Sequence, residues 1–92
     1  MITKITMFTD KECINCAIME KVMKEYCPTA NPVITFNVVN KDNIQENLRP
    51  LSYPTFRLYD NQTHSVLRIS CGGLEPIKRH ITEFQNYLTK HF

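Results

Sequence analysis

The sequence predicts an α/β fold: a four-stranded mixed sheet with helices on both faces, in the order β-α-β-α-β-β-α. Three observations carry that expectation. A β-branched opening run passes through a polar turn into a segment of helical periodicity and then a second β-rich run, which together make a βαβ unit with a right-handed crossover. Two alternating runs on either side of Asp60-Asn61-Gln62-Thr63 read as a hairpin. The closing segment spaces Ile77, Ile81, Phe84 and Leu88 at four, three and four, the signature of one apolar helix face.

Each element has its own local cause. Residues 2 to 8 carry Ile2, Thr3, Ile5, Thr6 and Phe8 in imperfect alternation, which suits a strand buried on both faces. Thr9-Asp10-Lys11-Glu12 is a turn. From about Ile14 the apolar residues Ile14, Ala17, Ile18, Val22 and Tyr26 recur at helical intervals, and Pro28 stops the helix. The second strand is expected over 33–39. Asn40-Lys41-Asp42-Asn43 supplies cap residues for a short helix from Ile44 to Leu48, ended by Pro50. The hairpin strands are Thr55 to Tyr59 and Ser65 to Ser70. Gly72-Gly73 then leads into the last helix, where Pro76 occupies the first turn and loses no hydrogen bond.

Composition narrows the function classes. The chain of 92 residues with 42% hydrophobic content suffices for one domain, 1–92. The net charge of +2 is dispersed, without a basic stripe interleaved with aromatics, so nucleic acid is not an expected partner. Apolar runs fall far short of the roughly 20 residues of a membrane span, and Met1-Ile2-Thr3-Lys4 leads into no signal-peptide core. A cytoplasmic protein without membrane attachment is expected. Four cysteines without an export signal point away from a disulfide-stapled scaffold, leaving Cys27 and Cys71 as half-buried unpaired thiols.

The chemistry-bearing motif is Cys13-Ile14-Asn15-Cys16. Two thiols three residues apart at a helix start share a face and can close a disulfide, and the helix N-terminus favours a thiolate. Cys13, at the exposed end, is the expected nucleophile. Cys16, one turn in, is the expected resolving thiol. A metal site is disfavoured because zinc takes four ligands, the chain has no second Cys-x-x-Cys, and His64, His80 and His91 are scattered. The competing reading is a non-catalytic protein-binding module with structural thiols.

Cys13-Ile14-Asn15-Cys16, Tyr53-Pro54-Thr55, the Gly72-Gly73 after a hairpin and the element order together resemble the thioredoxin-fold dithiol oxidoreductases, thioredoxins and glutaredoxins, over essentially the whole chain. The length is similar to that of short phage-encoded members. Lys11 and Gly72-Gly73-Leu74-Glu75 look like glutaredoxin features; Tyr53-Pro54-Thr55-Phe56 and the longer hairpin look more like thioredoxin. Met7 stands where thioredoxins carry a buried acid, and the chain has no Trp. The resemblance implies a thioredoxin-like fold and disulfide reduction through Cys13 and Cys16. It implies a cis Pro54, with Tyr53 offering backbone hydrogen bonds to substrate, and Lys11, Thr55, Gly72 and Gly73 as further substrate-binding positions. It also implies a disulfide-containing protein substrate, ribonucleotide reductase being a common one in the family. The reductant would be glutathione or a thioredoxin reductase, and the chain would act as a monomer with no bound cofactor. Cys71, just before the glycines, could regulate access by oxidation.

Overall fold

The computed structural model describes residues 1–61, 63–70 and 73–91. Strand β1 (Lys4–Thr9) is followed by helix α1 (Ile14–Tyr26), a 3₁₀ turn at Cys27–Thr29, β2 (Thr35–Asn40), two further 3₁₀ turns, β3 (Thr55–Tyr59), β4 (Ser65–Ser70) and α2 (Leu74–His91). The strands form one mixed sheet in the order β2-β1-β3-β4. β1 runs parallel to β2 and antiparallel to β3, and β3 and β4 form the expected hairpin with an irregularity at Leu58/Tyr59.

Register sorts the side chains into two layers. Ile5 lies opposite Phe36 and Leu58, and Met7 opposite Val38 and Phe56, so these side chains share a face. They form one core with Met19, Met23 and Cys27 from the α1 side and Ile77 and Ile81 of α2. Both α-helices therefore cover the same face. The other face carries Lys4, Thr6 and Phe8 of β1, Arg57 and Tyr59 of β3, and Arg68 of β4. Its rings are capped by cations: Lys4 Nζ lies 4.7 Å from the Tyr59 centroid, and the guanidinium carbons of Arg57 and Arg68 lie 5.5 and 5.6 Å from that of Phe8.

Three local expectations are corrected. The short helix over Ile44 to Leu48 does not form; 3₁₀ turns at Lys41–Asn43 and Glu46–Leu48 stand there, with Ile44 in extended backbone and Gln45 in non-helical backbone between them. Five residues cannot offset helix nucleation, Asn40 accepts the Asp42 N–H in a local turn, and Arg49 is held extended ahead of Pro50. The helices consequently lie on one face of the sheet rather than both. The second correction concerns which side of α1 is buried. Cys16, Met19 and Met23 face the core, while Ile14 and Ile18, assigned to the apolar face, are 78% and 55% exposed. The helix carries two apolar stripes, and the unbranched methionines rather than the isoleucines fill the gap beneath the sheet. Finally, β2 begins two residues later than expected, leaving Val33 exposed and Ile34 buried.

The last helix follows its expected face, with Ile77 and Ile81 buried and Phe84 packed against the core; the side chain of Leu88 lies outside the described set. Among the described residues no helix is long and apolar enough to cross a membrane. Cys27 is buried at the end of α1, and burial pushes its thiol up to about 11. Cys71 lies outside the described residues, as does Gly72.

Candidate active site

The site is assembled where β1 hands the chain to α1. Asp10 builds the turn: its carboxylate accepts the Glu12 N–H at 3.2 Å and its carbonyl accepts the Cys13 N–H at 3.1 Å. The chain thus enters α1 with Cys13 as the N-cap in extended backbone, and the Cys13 sulfur accepts the Cys16 N–H at 3.1 Å. A sulfur thus takes the role usually filled by a Ser or Asp oxygen and satisfies an orphan amide at the helix start.

Cys13 is half-buried and Cys16 buried, both as free thiols. Burial raises the Cys16 pKa, and so does the neighbouring Cys13 side chain; the Thr9 side chain and the Asp10 backbone N–H pull it down. Cys16 accordingly holds its proton more firmly than an ordinary cysteine. Opposite Cys13, the Tyr53–Pro54 bond is cis, and the Tyr53 carbonyl faces the Cys13 sulfur at 3.7 Å. A second cis bond, Asn31–Pro32, had no counterpart among the expectations. Thr55 is buried and donates to the Ser52 carbonyl at 2.7 Å, so its hydroxyl ties the proline loop together. The Tyr53 hydroxyl is buried without a hydrogen-bond partner among the described residues.

Two ion pairs brace the dithiol turn, and register explains both. Because β1 and β2 run parallel with Thr9 opposite Asn40, the next residues fall side by side. Lys41 Nζ lies 3.1 Å from Asp10, and Lys11 Nζ 3.7 Å from Asp42. The Glu12 N–H, followed by Lys41, lowers the Asp10 pKa, and Asp10 raises that of Lys41. Lys11 is 77% exposed and loosely paired, which leaves it open to an incoming anion. Gly73 is half-buried; a β-carbon there would meet Pro76 at an ordinary 3.5 Å, so packing does not demand glycine.

The structure thus gathers Cys13, Cys16, Tyr53 and Pro54, places Lys11 at the rim, and puts the Thr55 side chain inside the loop. A solved structure of thioredoxin f2 from Chlamydomonas reinhardtii matches with a TM-score of 0.62, covering 89% of this chain and 78% of that one at 21% sequence identity. The chain has a thioredoxin fold. No protein-family model matches the sequence, and no curated protein does.

On this thioredoxin fold the residues that sequence reading missed are Thr9, Asp10 and Lys41. Asp10 had a readable signal, an Asp two residues ahead of Glu12 at a helix entry. Lys41 had none without the β1–β2 register. Three His, Cys, Asp or Glu side chains placed to hold a metal ion are not found among the described residues.

Proposed function

We propose that this protein is a thiol-disulfide oxidoreductase that reduces protein disulfides by dithiol exchange. The supporting observation is the Cys13 sulfur at the N-cap, accepting the Cys16 N–H while facing the Tyr53 carbonyl. The Cys13 thiolate attacks one sulfur of a substrate disulfide; that S–S bond breaks, a mixed disulfide forms, and the other substrate sulfur leaves as a thiolate that takes up a proton. Cys16 then loses its proton and attacks the Cys13 sulfur, expelling the second substrate thiol and leaving Cys13–Cys16 oxidised. Two electrons pass to the substrate. Tyr53 offers its backbone to an extended substrate segment, and Cys16 stays protonated until the mixed disulfide forms, because its buried thiol resists ionisation.

The pair is re-reduced by two molecules of glutathione or by a thioredoxin reductase. Exposed Lys11 at the rim and the start of α2 at Gly73 and Leu74 are positions for glutathione carboxylates. The protein works as a monomer in a reducing, cytoplasmic compartment, with ribonucleotide reductase among the substrate classes to try. Insulin reduction with dithiothreitol tests the reaction: Cys13→Ser should be inactive, and full activity in that variant refutes the assignment. Supplying oxidised protein with glutathione plus its reductase, or with thioredoxin reductase, identifies the donor.

A further inference from the structure

A cavity of about 330 Å³ lies beside the proline loop. It is lined by Arg49, Leu51, Ser52, Thr55, Arg68 and Ser70 among others, and no carboxylate lines it among the described residues. Ser52 and Ser70 hydroxyls meet at 2.8 Å, and Arg49 is pinned by its Nε donating to the Ile44 carbonyl at 3.0 Å. The Ser52 and Ser70 hydroxyl protons are engaged within the loop, Ser52 on Ser70 and Ser70 on the Pro54 carbonyl, so the free donors of this space are the Arg49 and Arg68 guanidiniums, whose forked N–H groups suit an anion.

The neighbouring ladder adds to that field. Arg57 lies directly opposite Arg68, and both cap the Phe8 ring. Like charges at directly opposed positions destabilise a sheet, and no ion pair among the described residues engages either arginine. An anion seated against Arg68 would relieve that repulsion.

Two features select the occupant. Leu51 is fully exposed at the cavity, offering apolar contact that a bare inorganic ion would not use. Among the described residues of this face the Phe8 and Tyr59 rings are already covered by cations, so neither is free for a base to stack upon, which disfavours nucleic acid. The cavity also adjoins the dithiol site: Ser52 and Thr55 bracket Tyr53-Pro54, Ser70 Oγ donates to the Pro54 carbonyl at 3.5 Å, and the Tyr53 carbonyl faces Cys13. We propose that the cavity seats an aspartate or glutamate side chain of the disulfide-bearing protein substrate, so that substrates acidic near the exchanged cysteine are reduced preferentially. This rests on the disulfide-reductase reading above.

The test is a panel of fluorogenic disulfide peptides with a single Glu one to five residues to either side of the cysteine, each matched by a Gln control. In the wild-type protein at least one position should show a Glu advantage of fivefold or more in kcat/KM. That ratio should shrink in 0.5 M salt and fall below twofold in Arg68→Gln and in Arg49→Gln, with Arg68→Lys keeping part of it and thermal melts confirming folding. Glu/Gln ratios within twofold at every position, with the peptides still reduced, overturn the acidic-substrate proposal and leave the reductase reading intact. A phosphoserine peptide preferred more than tenfold over Glu overturns the carboxylate as the anion. If no peptide is reduced, the reductase reading fails and the cavity proposal falls with it.

Discussion

Helix α1 carries a cysteine at each end, and the two could hardly be more different. Cys13 caps the N-terminus, half-buried, with a backbone N–H directed at its sulfur and the Tyr53 carbonyl across from it. Cys27 follows the C-terminus, buried among core residues, its thiol pushed up to about 11 by burial. The residue type is the same; the helix end decides whether sulfur meets donors or hydrocarbon. A cysteine count is therefore a poor guide to redox chemistry, and the position of each thiol relative to helix polarity and water is a good one.

The sharpest way to break this contrast is to exchange the roles. Cys13→Ser should cut disulfide reduction by about 10³-fold or more, equivalent to about 4 kcal/mol of transition-state free energy, whereas Cys27→Ala should change it less than twofold; steady-state insulin reduction reads both. A large activity loss in Cys27→Ala would end the distinction. The two sides of α1 form a parallel contrast. Met23→Ala should lower unfolding free energy by about 2 to 5 kcal/mol, and Ile18→Ala, on the exposed side, by about 0.5 kcal/mol or less, both from urea denaturation.

The thiol at the C-terminal end also has a pH signature. Folded Cys27 keeps its proton up to about 11 while the unfolded chain releases it near the ordinary thiol value of 9.0, so the folded state binds more protons in that window. Stability should then fall as pH rises from about 9 to about 11, by up to roughly 3 kcal/mol, and Cys27→Ala should remove that component in melts recorded across the range. A smaller effect than the pH component concerns Tyr53. Its unpartnered buried hydroxyl predicts that Tyr53→Phe raises stability by about 1 kcal/mol, while the Tyr53 carbonyl that faces Cys13 is retained. A destabilised variant would mean that the hydroxyl has a partner in solution.

What the sequence made legible follows the range of the forces involved. The Cys-x-x-Cys at a strand-to-helix junction, the hairpin and the last helix rest on spacing within a few residues, and each appears where expected. The cis Tyr53–Pro54 bond came through family resemblance rather than through local signals. The buried side of α1 was misjudged because Ile14 and Ile18 outrank Met19 and Met23 in hydropathy, whereas the choice is made by where Cys13 caps the helix and which side chains fit beneath the sheet. The absent helix over Ile44 to Leu48 had plausible caps but too little length. Lys41 beside Asp10, and Arg57 beside Arg68, depend on strand register, which no local spacing reveals.

The side-by-side pairs Asp10–Lys41 and Lys11–Asp42 have a practical reach beyond bracing a turn. They tie the segment entering Cys13 to the segment leaving β2, and both are partly or largely open to water. Mobile ions screen such pairs over about 8 Å at physiological ionic strength and over about 3 Å at 1 M. Ionic strength is thereby a dial on the flexibility of the dithiol turn itself: redox titrations and exchange rates collected in different buffers would describe turns of different stiffness, and comparisons between them need matched salt.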